Sequence, residues 1–101
     1  MRIYISGPIT GTDDFEERFK AAEQNLKESF KDVEIINPTM IKLPDSCTHE
    51  EYMAIDFKLL DLCDAIYMLK GWQQSSGACM EYGYAKKGDH IILQEGKEGE
   101  E

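Results

Sequence analysis

The sequence predicts a single α/β domain built on a parallel sheet of about four to five strands. Short apolar segments alternate with amphipathic helical segments along the chain, and alternation of this kind is typical of a parallel sheet with right-handed crossovers. Residues 64–69, DAIYML, are almost continuously apolar, as expected for a strand buried on both faces. A chain of 101 residues has room for one core. We therefore expect a Rossmann-like or flavodoxin-like three-layer sandwich.

The amino-terminal segment predicts a strand, a turn and a helix. Residues 2–6, RIYIS, have the composition of a strand, and the GPITGT segment after them has the glycines and the proline of a turn. Asp13 and Glu16 have the spacing of a helix-capping box. The helix is predicted from apolar residues that recur on one face, namely Phe15, Phe19, Ala22, Leu26 and Phe30.

The middle of the chain predicts a second and a third strand separated by a helix. The second strand, VEII at 33–36, ends at Asn37-Pro38 because a proline ring restricts the residue before it. Residues 39–48 are predicted to be irregular, and the helical pattern runs from about 49 to 63. The strand at 64–69 follows directly.

The carboxyl-terminal part predicts a loop, a helix and a last strand. The loop is KGWQQSS, and the helix runs from about Ser76 to Lys87 and ends at Gly88. The last strand is HIIL at 90–93. In sheets of this type ligands bind beyond the carboxyl ends of the strands, so the loops at those ends are the predicted site.

Charge excludes some classes of partner. Twenty acidic and eleven basic residues give a net charge of −9, which argues against binding to polymeric nucleic acid. The apolar runs are far shorter than the roughly 20 residues of a membrane helix, and no secretory signal opens the chain, so we expect a cytoplasmic protein without membrane contact. Residues 95–101 contain four Glu and one Lys and are expected to be an acidic, disordered tail after a domain at 1–94.

The cysteines and histidines predict no metal site and no cofactor. The three cysteines form no CxxC pair and have no histidine at zinc-ligand spacing. His49 lacks the second histidine of a zinc-protease helix, and His90 begins an apolar run.

Two acidic residues fall on helix faces that should point at the sheet. Glu81 lies within the apolar stripe of the last helix, which consists of Ala78, Tyr82 and Ala85. Asp56 lies within the stripe of the preceding helix, which consists of Tyr52, Met53, Leu59, Leu60 and Cys63. A buried carboxylate loses hydration, and its pKa tends to rise.

These two acids have a structural and a chemical interpretation. Either could be a structural acid that is hydrogen-bonded to backbone groups or tyrosine hydroxyls. Two acids at the mouths of the strands, close to the free amides of a helix amino terminus, instead suggest chemistry on a glycosidic bond. One acid would attack or stabilise the anomeric carbon while the other manages the proton of the leaving group.

Five segments together resemble the nucleoside 2-deoxyribosyltransferase superfamily, over residues 1 to about 94. The resemblance is closest to its short members of unassigned function, many of them from phages and bacteria with prophages. The related 2′-deoxynucleoside 5′-monophosphate N-hydrolases belong to the same superfamily. The segments are IYISGPITG at 3–11, NP at 37–38, DFKLLDLCDAIYML at 56–69, GWQQSSGACMEYGYA at 71–85 and the strand at 88–93.

The resemblance implies three catalytic residues. Glu81 matches the glutamate that attacks the sugar C1′, Asp56 matches the aspartate that holds the substrate and manages protonation of the base, and Tyr4 matches a first-strand tyrosine near the nucleophile.

The resemblance also implies a set of substrate-binding residues. Gly7 and Ser75, with Ser76 beside it, match positions that bind phosphate in the hydrolases. Pro8, the other candidate in this turn, stands where the hydrolases have a serine. Trp72 is expected either to stack on the base or ribose or to cover the core. The other candidates from the matching segments are Ile9, Asn37 and Gly77.

The resemblance implies a small-molecule partner and self-association. The expected partner is a nucleoside or nucleotide, and the expected assembly is a homodimer or higher homo-oligomer, because neighbouring chains complete these sites in the superfamily. The chain is shorter than the characterised transferases. Those transferases carry an acidic residue in the loop after the third strand, and the corresponding loop here, with Trp72, Gln73 and Gln74, has no clear counterpart of it. An enzyme that cleaves or transfers at the N-glycosidic bond is the first hypothesis. A catalytically inactive nucleotide-binding or sensor module is the second.

Overall fold

The computed structural model describes residues 1–9 and 11–96. These residues form four strands, three α-helices and two short 3-10 turns. The elements in chain order are β1 (Arg2–Ser6), α1 (Phe15–Ser29), β2 (Glu34–Ile36), a 3-10 turn (Pro38–Met40), α2 (His49–Asp61), β3 (Ala65–Met68), a 3-10 turn (Trp72–Gln74), α3 (Ser76–Lys87) and β4 (Ile91–Gln94).

The four strands form one parallel sheet in the order β2-β1-β3-β4. Ile3 and Tyr4 of β1 pair with both β2 and β3, so β1 lies inside the sheet. The chain passes from β1 outward to β2 and then crosses to β3 on the other side of β1. This reversal is the topological switch point of doubly wound sheets, where ligands bind at the carboxyl ends of the strands.

Helices cover both faces of the sheet, which confirms the predicted three-layer sandwich. On one face α1 packs Phe19, Ala22 and Leu26 against alternate residues of β1 and β3. On the other face Leu60 of α2 and Ala78 and Ala85 of α3 form a core with the residues of β1 and β3 that point the opposite way. The helices that carry Asp56 and Glu81, α2 and α3, therefore lie side by side on the same face of the sheet.

The helix starts differ from the prediction in one respect. The capping box predicted at Asp13 and Glu16 is wrong: α1 begins after Asp14, whose side chain makes no capping hydrogen bond. A capping box is instead present at α2, where Thr48 Oγ1 accepts from the Glu51 amide at 3.1 Å and the Glu51 carboxylate accepts from the Thr48 amide at 2.8 Å. The reciprocal pair satisfies two amides that a helix start otherwise leaves without partners.

The carboxyl-terminal elements lie close to their predicted positions. The last helix ends at Gly88 as predicted, and β4 begins one residue later than expected, at Ile91. Glu95 continues the sheet edge: its carboxylate accepts from the Lys70 amide at 2.8 Å and lies 3.7 Å from the Arg18 guanidinium. The rest of the predicted tail, from residue 97 on, lies outside the described residues. Within residues 1–9 and 11–96, no helix has the length and apolar character needed to cross a membrane.

Candidate active site

A cavity of about 510 Å³ opens at the carboxyl edge of the sheet, where the switch point lies. Its size falls within the range of small-molecule sites, about 300–1,000 Å³. The loops after β1, β2 and β3 and the first turns of α2 and α3 contribute its walls. The lining residues are Gly7, Ile9, Phe15, Pro38, Thr39, Ile41, Lys42, His49, Tyr52, Met53, Asp56, Gln74, Ser75, Ser76, Gly77, Ala78 and Glu81.

Glu81 lines this cavity from the second turn of α3. Its side chain is only 6% exposed, yet both carboxylate oxygens have partners. The Tyr4 hydroxyl donates to Oε2 at 2.7 Å, and the Ser6 hydroxyl donates to Oε1 at 2.5 Å. Tyr4 and Ser6 are two residues apart in β1, so their side chains point to the same face of the sheet.

The two donors hold Glu81 from the sheet side and leave its other side open. Tyr4 and Ser6 are 0% and 1% exposed, and neither lines the cavity. Glu81 does line it, together with Asp56 of α2. The carboxylate is therefore fixed from behind while it faces the space that a ligand would fill.

Burial alters the acidity of all three titratable groups at this position. It raises the pKa of Glu81 to about 8, against the opposing effect of the Ser6 and Tyr4 hydrogen bonds. Burial also raises the pKa of Asp56, which its interactions with Glu81 and Tyr4 and the charge of His49 partly offset. The pKa of Tyr4 is raised by burial and by the two nearby carboxylates, so this hydroxyl stays a hydrogen-bond donor.

The Asp56 and Glu81 carboxyl groups act as one titrating pair. Each affects the pKa of the other, and the interaction between them favours the ionised form of Asp56 and the protonated form of Glu81. Two carboxylates that share a buried site cannot both ionise easily, so the pair retains a proton to higher pH than a surface carboxyl would.

The start of α3 forms the part of the cavity wall that adjoins α2. Ser75 is the amino-terminal cap, and its Oγ accepts from the Ala78 amide at 3.2 Å. Gly77 lies against α2: a Cβ built there would lie 3.5 Å from His49 Cε1 and 3.5 Å from Met53 Sδ. A side chain at this position would therefore be in ordinary van der Waals contact with α2.

The structure brings most of the predicted site residues to one place. Seven of them line the cavity: Gly7, Ile9, Asp56, Ser75, Ser76, Gly77 and Glu81. Tyr4 adjoins it through its bond to Glu81. Asn37 and Pro8 lie outside the lining; the Asn37 side chain accepts from the Thr39 amide at 3.0 Å and shapes the loop after β2, and Pro8 lies near Gly71.

Trp72 also lies outside the lining of this cavity. Its ring stacks on Tyr82 of α3, with centroids 4.6 Å apart and an angle of 25° between the planes. Both rings pack against the core on the α2 and α3 face of the sheet. In this arrangement Trp72 covers the core, which is one of the two positions expected for it.

Sequence reasoning missed Ser6 and His49. The Ser6 hydroxyl donates a hydrogen bond to the Glu81 carboxylate. The sequence does contain an indication of this role, because Ser6 is a polar residue two positions after Tyr4 and so lies on the same face of the first strand. His49 lines the cavity seven residues before Asp56, on the same side of α2. Either residue can be recognised as part of the site only by asking which side chains lie near the inward carboxylates of Asp56 and Glu81.

Solved structures of two 2-deoxyribosyltransferases are similar to this fold. The 2-deoxyribosyltransferase from the psychrotolerant bacterium Bacillus psychrosaccharolyticus is similar with a TM-score of 0.73 and 14% identity, over 93% of this chain and 71% of that one. The 2-deoxyribosyltransferase from Leishmania mexicana is similar with a TM-score of 0.66 and 24% identity, over 92% of this chain. The chain spans 62% of the length of the Leishmania protein.

These similarities confirm the fold that the sequence resemblance predicted. The chain has a nucleoside 2-deoxyribosyltransferase-like fold, with the cavity at its switch point. No curated protein sequence matches the chain. A family model matches residues 1–94, which is nearly the full length of 101 residues. The chain therefore belongs to the family described as a domain of unknown function, DUF4406.

Proposed function

We propose that this protein cleaves or transfers at the N-glycosidic bond of a small nucleoside or nucleoside monophosphate, with Glu81 as the nucleophile. The observation that carries the proposal is the Glu81 carboxylate, held from behind by two hydroxyl donors and open to a cavity of about 510 Å³. The similar 2-deoxyribosyltransferase structures support the same reaction class.

In the first step the ionised Glu81 carboxylate attacks C1′ of the bound sugar. A bond forms between a Glu81 oxygen and C1′ while the bond from C1′ to the base nitrogen breaks, and the electron pair of that bond goes to the base. The base then needs a proton. The reaction suits a rigid carboxylate, since positioning within attack distance supplies a large part of the rate.

Asp56 is the proposed source of that proton. Burial raises its pKa, so the titrating pair can hold a proton on Asp56 while Glu81 is ionised. In this protonation state the cavity presents a nucleophile and an acid together. When the proton of the free enzyme is on Glu81, its transfer to Asp56 produces this reactive state.

In the second step an acceptor attacks C1′ and the bond to Glu81 breaks, with its electron pair returning to the carboxylate. Water as the acceptor gives hydrolysis, and a second free base gives transfer. Asp56, ionised after the first step, takes the acceptor's proton. Ile9, Ile41 and Tyr52 in the cavity lining offer apolar surface suited to a base.

The proposal is tested by incubating the protein with ribo- and deoxyribonucleosides and their 5′-monophosphates. Each substrate is tested with and without a second free base, and released or exchanged base is measured by chromatography. We expect turnover with at least one of them. Glu81→Gln should abolish it, while Glu50→Gln, which changes an exposed glutamate outside the cavity, should retain it.

Binding measured on the same variants distinguishes the alternative module. If Glu81→Gln binds the substrate as tightly as the unmodified chain but forms no product, Glu81 acts in chemistry. If the unmodified chain binds a nucleotide and no panel member is converted, the enzyme proposal fails and a nucleotide-binding module becomes the better description.

A further inference from the structure

We propose that Ser6 is a positioning residue that governs how Glu81 gains and loses its negative charge, with its largest effect on release of the sugar from Glu81. The inference rests on the proposed function. Ser6 does not line the cavity and acts only through Glu81. Its hydroxyl lies 2.5 Å from Glu81 Oε1, and its side chain is 1% exposed.

The Ser6 hydroxyl has its effect because it stabilises the charged form of Glu81. A hydrogen bond to a carboxylate is stronger when the carboxylate is ionised, and a buried position strengthens it further. Negative charge is shared by both carboxylate oxygens. A donor fixed on Oε1 therefore acts whichever oxygen bonds to C1′.

The two halves of the reaction change this charge in opposite directions. When Glu81 attacks, its charge is lost, and the bond from Ser6 weakens. When the acceptor attacks C1′ and the Glu81–C1′ bond breaks, the electron pair returns to the carboxylate and the bond from Ser6 strengthens. Ser6 thus favours the second half, since it makes Glu81 a better leaving group.

Removal of the hydroxyl should change the pH dependence of activity in a way that a purely structural residue would not. Without this donor Glu81 ionises at higher pH. The reaction needs one proton on the Asp56–Glu81 pair, so the pH at which activity falls through loss of that proton moves in the alkaline direction. The titratable groups facing Glu81 are Tyr4 from β1 and Asp56 from α2, with His49 facing Asp56 in turn. All three remain in the variant, so the shift reports the loss of Ser6.

The experiment compares Ser6→Ala, Ser6→Thr and Tyr84→Phe with the unmodified chain. Ser6→Thr keeps the hydroxyl. Tyr84→Phe is the matched control because it removes an exposed hydroxyl bonded to a carboxylate, that of Asp61 at 2.7 Å, outside the cavity. Kinetics across the pH range, rapid-quench measurement of the first turnover and mass spectrometry of the quenched protein are recorded for each.

For Ser6→Ala we expect the descending limb of kcat/KM to move up by about one pH unit, equivalent to a tenfold change in the ionisation equilibrium. At pH below that limb, sugar release should slow about tenfold while the first base release is affected less. The covalent sugar–protein adduct then accumulates. Ser6→Thr and Tyr84→Phe should behave as the unmodified chain does.

The inference is overturned if Ser6→Ala shows the unmodified pH limb and no adduct. Its failure is separable from that of the proposed function by a titration that needs no turnover. In protein labelled with carbon-13 at the glutamate carboxyl groups, the Glu81 resonance is identified by its loss in Glu81→Gln. If no substrate is converted but this resonance titrates at higher pH in Ser6→Ala, the proposed reaction fails and the control of Glu81 by Ser6 stands. An unchanged titration overturns the inference directly.

Discussion

The Tyr4 hydroxyl donates a 2.7 Å hydrogen bond to Glu81 Oε2, joining the first strand to the last helix across 77 residues. Both side chains are almost fully buried, so the Glu81 carboxylate needs a hydrogen-bond donor that an apolar side chain in place of Tyr4 could not provide. The bond shows that the inward acid of α3 is accommodated by polar groups from the sheet. Burial still makes the ionised form costly, and this leads to a prediction about stability.

Glu81→Gln should change the pH dependence of folding. The pKa of Glu81 is raised by burial to about 8 in the folded chain, from an ordinary value of 4.5, so the folded state binds the proton more tightly than the unfolded state. The stability of the unmodified chain should therefore fall as pH rises from about 4.5 to 8. Glutamine is uncharged throughout, so the variant should gain about 2–4 kcal/mol relative to the unmodified chain between pH 5 and pH 9.

Urea unfolding at pH 5, 7 and 9 measures this difference. Glu50→Gln, at an exposed position, serves as the control and should keep the unmodified pH dependence. A constant offset between Glu81→Gln and the unmodified chain at all three pH values would contradict the prediction.

Gly7→Ala should destabilise the carboxyl end of β1. A Cβ at Gly7 would lie 2.8 Å from Leu69 Cβ and 2.9 Å from Leu69 Cδ1, and Leu69 is fully buried. The collision should cost about 1–3 kcal/mol. Gly83→Ala is the control: nothing lies within 4 Å of a Cβ there, and alanine in α3 should stabilise by roughly 0.5–1 kcal/mol. Opposite signs in chemical denaturation are expected, and equal effects would refute the packing argument.

Thr48→Ala should weaken α2 by about 1 kcal/mol, because it removes one half of the capping box. Asp14→Ala is the matched control at the start of α1, where the side chain makes no capping bond, and it should have little effect. Thermal unfolding compares the two. His49 and Tyr52 of the first turns line the cavity, so Thr48→Ala should also weaken ligand binding. Equal losses of stability in the two variants would argue against the cap.

Trp72→Leu should lower stability without changing the affinity for substrate. The ring stacks on Tyr82 and lies outside the cavity lining, so its loss removes about 0.5–1.5 kcal/mol of aromatic stacking in addition to buried area. Calorimetric titration with whichever nucleoside binds the unmodified chain gives the affinity. A large loss of affinity in a folded variant would instead support the expected contact between Trp72 and the ligand.

Much of the fold follows from local sequence patterns. The alternation of apolar and amphipathic segments predicts the order of elements, and the continuous apolar run predicts that β3 is buried on both faces, as its four residues are. Helical periodicity alone turns Glu81 and Asp56 inward. These patterns repeat every two or every 3.6 residues, so they are visible without knowledge of distant contacts.

The missed features depend on distant or competing contacts. The role of Ser6 depends on its hydrogen bond to a carboxylate 75 residues away, and no local sequence pattern predicts that contact. The spacing of Asp13 and Glu16 satisfies the capping rule, but the helix begins one residue later, after Asp14. Capping spacing also occurs at Thr48 and Glu51, where the reciprocal bonds form. Spacing therefore identifies candidate caps, and the path of the preceding turn decides between them.

The long separation between β1 and α3 has a consequence for how the site comes into existence. During synthesis Tyr4 and Ser6 emerge first, and Glu81 emerges only after the other elements that line the cavity. A closure this long has a high entropic cost that local contacts cannot offset in advance. The hydroxyl–carboxylate cluster can thus form only when α3 has docked on β1, so its presence reports that the first strand and the last helix have come together.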